Sequence, residues 1–452
     1  MKYLKSLFGI LIMAVLILNS TVYAEAQSDE IVESCISEYK DRTKCNSVSM
    51  VVYEDGNMYY YGKKDDLYQI GSMTKAFTGL GVMKLVQEEK IDLDHKVADY
   101  LPEFETYYEG QKADICIRDL LSQMSGFTNS ERDYPSAKEN MTLSRWVETM
   151  SGKELQNQPG TEYSYSNVNY NLLGAIIETV SGISYKEYME QEILIPLGLE
   201  HTFVGIPQNE NGIVNGTRLG YWKVYDFSIP VKEGAIPAGY FYSNVSDMGR
   251  WLEIWIGKAD IPSEYKELAA QTKEYLKQEN DYFSGWECFR DGTIGHSGGT
   301  ANYSSRIVYS PEKSVGVCVL TNVNVAASTD RLCNDVLAFM TGNEPFGFVY
   351  DVWSVFDHVF SGLTILGIVL LFIICKLRNV RAMFACDAVL IVLLTSILIV
   401  IPIIFQASWG TILFIWAPWS VLGGLIVLSV DIVVISTRLW IRKKNENNNK
   451  KS

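Results

Sequence analysis

Histidine and closely spaced cysteine pairs are what this chain most lacks. Only His95, His201, His296 and His358 occur in 452 residues, with no His-Glu-x-x-His and no Cys-x-x-Cys. Catalysis at a bound metal needs clustered imidazole or thiolate donors, so that class is disfavoured, and nothing calls for another cofactor. Basic side chains are also short, 39 Lys plus Arg against 53 Asp plus Glu for a net charge of −14. That balance argues against nucleic acid as a partner, because a phosphate backbone demands a clustered positive surface. Charge of either sign is scarce from Asp351 to Trp440, with eight charged residues in ninety, and it vanishes between Ala388 and Val430. At about 1.5 Å per residue the uncharged run would make a helix of roughly 65 Å, about twice a bilayer core, so it must turn back on itself.

What is present fills in this outline. Two Lys precede the apolar run Leu7–Leu18, and small residues follow at Val22-Tyr23-Ala24. That is the pattern of a secretory signal over 1–24, cleaved after Ala24 or Ala26. The C-terminal composition predicts a membrane anchor over 346–440, with helices near 353–375, 383–406 and 411–437, then a basic tail over 441–452. Lys376, Arg378 and Arg381 follow the first helix, and Arg438, Arg442, Lys443 and Lys444 follow the third. Basic clusters mark the cytoplasmic side, which places residues 25–345 outside the cell membrane. Trp409, Trp416 and Trp419 fall at the outer turn, where aromatic rings favour the interface. Asp387 and Asp431 are read as headgroup-level or snorkelling residues, with Arg438 a candidate partner for Asp431. In an oxidising exterior Cys35 and Cys45 could close a short loop.

Within the outer region, Ser47–Glu54 and Asn57–Gly62 flank Asp55-Gly56, the signature of a type I′ hairpin. Strand patterns return only at 304–310 and 315–322, around a turn at Pro311–Ser314, and a last helix is expected over 328–341. Helical patterns dominate between. The fold class is therefore α+β, with an antiparallel sheet built from both chain ends, flanking helices and an inserted helical domain. A cleft between sheet and insertion is a favoured ligand site.

Ser-x-x-Lys occurs four times, at Ser37/Lys40, Ser72/Lys75, Ser263/Lys266 and Ser310/Lys313. Residues three apart on a helix share a face, so a lysine amine there can reach the serine hydroxyl and activate it. Only Ser72 follows a glycine at a coil-to-helix junction ahead of an apolar helix, where its own N–H can face a substrate oxygen. The plainer alternative is a helix cap. Tyr165-Ser166-Asn167 precedes another apolar helix. Its phenol could relay a proton and its amide could hold a carbonyl, or Ser166 or Asn167 could simply cap. His296-Ser297-Gly298-Gly299 leads along a strand whose glycines let a backbone approach a ligand closely.

These three motifs, in this order, resemble those of the serine β-lactamases and penicillin-binding proteins. The likeness is greatest to the class C-related group, which includes low-molecular-weight DD-peptidases, esterases and D-aminopeptidases. Segments 90–104, 117–127, 195–202 and 236–251 are similar as well. The resemblance implies Ser72 as the acylated nucleophile, Lys75 as its base or proton partner, and Tyr165 as the group that deprotonates the nucleophile or the deacylating water and protonates the leaving group, with the division between Lys75 and Tyr165 left open. It implies Asn167, His296, Ser297 and Gly298 at the substrate, with the N–H groups of Ser72 and Gly299 as oxyanion donors. Two departures stand out. His296 replaces the usual Lys, so a cation expected to pair with a substrate carboxylate can be neutral here. Gln123 occupies the His position of the Leu-Leu-Ser-His-Thr-Ser-Gly pattern, where a structural role is expected. The implied activity is hydrolysis of a small peptide, D-amino-acid amide or ester through an acyl-enzyme, beside a bilayer. Removal of an N-acyl-D-amino-acid cap from an antibiotic precursor, and a β-lactam-acylated sensor, are the alternatives.

Overall fold

The computed structural model describes residues 29–208, 211–279 and 281–449, and the expected signal sequence over 1–24 lies outside them. Seven strands form the central sheet: β1 (Val48–Glu54), β2 (Asn57–Tyr61), β3 (Tyr282–Phe283), β4 (Trp286–Cys288), β5 (Ile294–Gly299), β6 (Ser304–Ser310) and β7 (Val315–Thr321). They are antiparallel in the order β3-β4-β5-β6-β7-β1-β2, so the two chain ends meet where β1 pairs with β7, Val51 opposite Cys318. Asp55 and Gly56 adopt φ of 46° and 89°, the left-handed pair that a type I′ turn demands.

Both faces of the sheet are covered, which explains why β1 and β7 read as unbroken apolar runs. Val51, Tyr53, Cys318 and Leu320 point into the core shared with the insertion. Met50, Val52, Val317 and Val319 point the other way, against a helix over 29–43 (α1) and against the helix that ends the catalytic region. In chain order the remaining long helices are α2 (Thr74–Gln87), α3 (Asn167–Ser181), α4 (Val245–Ile256), α5 (Ser263–Gln278), α6 (Ala326–Met340), α7 (Val352–Lys376), α8 (Val380–Phe405) and α9 (Trp419–Asn449). Helix α2 is buried from Thr74 through Leu85, wedged between sheet and insertion. The insertion also holds short strands that periodicity missed, because two to four residues carry too little pattern. All eight cysteines are unpaired, and the Cys45 thiol donates to Ser47 O (3.1 Å) and Asn322 Oδ1 (3.4 Å) instead of meeting Cys35.

Helices α7, α8 and α9 are each long and apolar enough to cross a membrane. The third starts at Trp419 rather than near 411. Pro418 lacks an N–H and forces the residue before it out of helical geometry, and Ala417 is extended (ψ 152°). Asp387 accepts from Ser436 Oγ at 2.9 Å. The expected pairing of Asp431 with Arg438 is not formed. Arg438 donates to Leu377 O (3.0 Å), and Asp431 is fully buried with no hydrogen-bond partner among the described residues.

A hairpin that sequence reading did not single out joins the catalytic region to this bundle. Its strands, Thr217–Gly220 and Lys223–Asp226, turn through Tyr221 and Trp222, both left-handed at φ 54° and 60°. The tip N–H groups donate to the two oxygens of Asp357 on α7, each at 2.8 Å, and Ser420 Oγ adds a bond of 2.6 Å from α9. Gly423 leaves room there for the Tyr221 hydroxyl, which occupies the space a Cβ would take. Arg218 stacks over Trp419 at 4.1 Å and donates to the Leu413 and Ala417 carbonyls, which the Pro418 break leaves free of helix partners.

Candidate active site

Ser72 lies on a single 3₁₀ turn, Gly71–Met73, immediately ahead of α2. It is half-exposed in a stretch otherwise buried from Tyr68 to Leu85. The helix caps are Ile70 and Met73, and neither makes a side-chain cap bond, so Ser72 does not serve as an N-cap. Two glycines make the turn possible. Gly71 has φ 52°, and a Cβ on it would fall 2.5 Å from Gly299 N, while one on Gly298 would fall 2.1 Å from Ile70 O. Strand β5 therefore lies directly against the turn and brings the Gly299 backbone to the lip beside Ser72.

One helical turn along, Lys75 is fully buried. Its Nζ lies 3.1 Å from Ser72 Oγ, 2.7 Å from Asn167 Oδ1 and 2.6 Å from Ala238 O. Burial holds its ammonium well below the usual lysine range. A neutral amine has two N–H donors and one lone pair. With the Asn167 and Ala238 oxygens taking the donors, the lone pair faces the Ser72 hydroxyl. The Ala238 carbonyl is delivered by the short helix Ile236–Gly239, inside one of the segments singled out in the sequence.

Tyr165 enters from the insertion. Its hydroxyl interacts with the Ser72 side chain, and burial raises its pKa far above the ordinary phenol value, so the group is a neutral phenol. The Lys75 Nζ sits 4.9 Å from its ring centroid. Of the two cap candidates, Ser166 is the cap: its Oγ accepts from Val168 N at 3.3 Å. Asn167 is thereby free to hold Lys75.

The third motif divides between two sides of β5. His296 is buried, with Nδ1 2.6 Å from Ser297 O and Nε2 3.3 Å from the Tyr282 hydroxyl. The ring thus donates through Nδ1–H and accepts at Nε2. Burial above all, with the nearby Arg306 charge, holds its pKa far below the usual imidazole value, so it is neutral. It supports the Tyr165 ring at 6.1 Å, from beneath the cleft. Ser297 points away, donating to Asp330 Oδ2 and accepting from Arg306 Nη1, each at 2.8 Å. Gly298 packs on Ile70, so of this motif only Gly299 reaches the cleft wall. The structure brings Ser72, Lys75, Tyr165, Asn167 and Gly299 together at one mouth. His296, Ser297 and Gly298 stand behind it.

None of the other three Ser-x-x-Lys pairs forms a site. Ser37 with Lys40 and Ser263 with Lys266 are exposed, and Ser310 only caps its own turn, accepting from Lys313 N at 3.3 Å.

Gln123 proves to be more than packing. It is fully buried at φ 59°. Its backbone oxygen accepts from Ser164 N (2.8 Å), and its Oε1 accepts from Ser166 N (2.9 Å) and Asn169 Nδ2 (2.6 Å). The residues on either side of Tyr165 are therefore pinned by one residue, Ser164 by its backbone and Ser166 by its side chain. The only sequence signal was its departure from the family pattern. Gln123→Ala is expected to lower the acylation rate about tenfold or more by loosening Tyr165, whereas Gln123→Glu, which keeps the acceptor, retains more of it. Equal rates in wild type and Gln123→Ala, measured by stopped-flow labelling, would refute this positioning role.

A cleft of about 730 Å³ opens over Ser72, between β5, the insertion and the near ends of the three apolar helices. Residues 32–339 match the family model described as Beta-lactamase. Protein flp of Staphylococcus aureus (strain MRSA252) is 33% identical over 286 residues, covering 60% of this chain and 56% of that protein. In strain N315 the same-named protein is 30% identical over 329 residues, covering 70% and 64%. The chain thus spans about 56–64% of the length of these curated relatives. An octameric penicillin-binding protein homologue from Pyrococcus abyssi superposes with TM-score 0.58 at 25% identity, over 73% of this chain and 81% of its own.

Proposed function

Because the chain belongs to the β-lactamase family of serine hydrolases, we propose that it cleaves amide or ester bonds through an acyl-enzyme on Ser72. The observation that carries this reading is the Lys75 amine, buried without a carboxylate partner and aimed at the Ser72 hydroxyl. Neutral Lys75 takes the hydroxyl proton as Oγ adds to the carbonyl carbon. The resulting oxyanion is received by the N–H groups of Ser72 and Gly299. Collapse of the adduct expels an amine or alkoxide, which takes a proton through Tyr165, and the same pair then deprotonates the water that releases the acid. A neutral phenol beside a low-pKa amine supports Lys75, rather than Tyr165, as the first base.

The finer reading is a D-amino-acid-directed peptidase, by likeness of the three motifs to those of DD-peptidases and D-aminopeptidases. Neutral His296 supports substrates not anchored by a free carboxylate, namely amides, esters and internal peptide bonds. Placement of the catalytic domain outside the cell is supported by Lys376, Arg378 and Arg438, which lie at the opposite end of the bundle from the docking hairpin. From a substrate panel, sustained release is the expected result for D-amino-acid amides and short esters, and slower release for D-Ala-D-Ala peptides, whose free carboxylate meets no cation at His296. Release of one equivalent and no more, across the whole panel, would replace the hydrolase by an acylated sensor.

A further inference from the structure

The cleft does not end at the catalytic turn. From Ser72 and Gly299 its wall continues past Phe227 and Ile229 to Trp353, Phe405, Phe414 and Trp416. Those last four aromatic residues belong to the outer ends of α7 and α8 and to the segment ahead of α9. Trp353 lies flat on Phe405, with ring centroids 4.9 Å apart at 16°. Phe414 is 62% exposed. The hairpin of residues 217–226 fixes this arrangement, because Phe227, the first residue after it, lines the cleft while packing edge-on against Trp419. One end of the cavity is thus polar, with Ser72, Asn167, Glu131 and Lys232 around it. The other is an aromatic sill at the level where helices suited to a bilayer begin. Its volume of about 730 Å³ falls within the roughly 300–1,000 Å³ of pockets that enclose a whole ligand.

We propose that the substrate is a single-chain amphiphile, its scissile ester or amide carbonyl at Ser72 and its alkyl chain lying along Phe405, Phe414 and Trp416. The membrane helices then supply part of the substrate site as well as an anchor. An alkyl chain suits this sill because each methylene buried there leaves water, while the reactive head stays among hydrogen-bonding groups. The proposal rests on the Ser72 hydrolase reading, and its test separates the two.

The test uses the full chain in lipid nanodiscs and a pair of fluorophosphonates that differ only in a two-carbon or a twelve-carbon alkyl group. The second-order rate constant for labelling Ser72 is measured for each. The long-chain probe is expected to react about tenfold faster or more, and Phe414→Ser with Trp416→Ala to cut that ratio by about tenfold. A ratio near one with Ser72 still labelled overturns the amphiphile while leaving the hydrolase. A high ratio that the two substitutions leave unchanged also overturns it, since bulk partition into lipid then accounts for the preference. Labelling of Ser72 by neither probe overturns the hydrolase reading itself.

Discussion

Ser72→Ala abolishes labelling by a fluorophosphonate, and Lys75→Ala slows it by about 10²–10⁴-fold, the usual worth of a positioned base. The pH dependence of the wild-type rate carries the mechanism. Lys75 must be neutral to accept the proton, so the rate rises with pH while the ammonium is being lost and then levels off. Because burial holds that pKa well below the usual lysine range, the plateau is reached well short of the pH at which an exposed lysine titrates. Lys75→Ala removes this limb. Lys313→Ala, on an exposed hairpin turn, leaves both rate and profile unaltered. A wild-type rate still climbing through pH 10, or a null effect at Lys75, would hand the role of base to Tyr165.

The second large effect lies away from the chemistry. Asp357→Ala leaves the Tyr221 and Trp222 N–H groups without their acceptors at a part-buried contact, and it strips Ser420 of its partner. At about 1–3 kcal/mol for a buried donor left unpaired, and less for the two part-buried N–H groups, the three together give an expected loss of roughly 2–6 kcal/mol. It should appear as a clear fall in the thermal midpoint of the full chain in detergent. Asp357→Asn, which keeps one acceptor oxygen, loses less. An unchanged midpoint for Asp357→Ala would mean that the hairpin rests on the bundle without being held by it.

The sheet was legible because β1 and β7 carry apolar, β-branched runs, β6 carries Ile307-Val308-Tyr309, and their turns carry diagnostic chemistry, Asp55-Gly56 above all. The nucleophile's turn was legible from its setting, a glycine before Ser72 and a buried helix after it. Gln123 and Asp357 were not read for what they do. Each acts on backbone N–H groups far away in sequence, 43 residues for Gln123 and Ser166 and 136 for Asp357 and Tyr221, and no local pattern encodes such a meeting. Asp431 was assigned a cation by proximity in sequence. The fold gives Arg438 to a carbonyl instead, because the end of α7 leaves Leu377 O unpaired close by. His296 and Ser297 were placed together at the substrate, yet neighbours on a strand point to opposite faces, and β5 sends only one of them towards Tyr165.

The clamp of Asp357 on the hairpin tip also sets an altitude. The peptide connecting α6 to α7, residues 341–351, is itself pinned, since Phe346 and Gly347 N–H donate to Asp335 at 2.8 and 3.1 Å and Asp351 accepts from Ala327 N at 3.0 Å, so the hairpin is a second strut beside it. With α7–α9 across a bilayer as proposed, these two attachments would carry the nucleophile at one standoff from the lipid headgroups. Bonds buried deep in a polymer wall would lie out of range. Those presented at the membrane's own surface would pass directly before it.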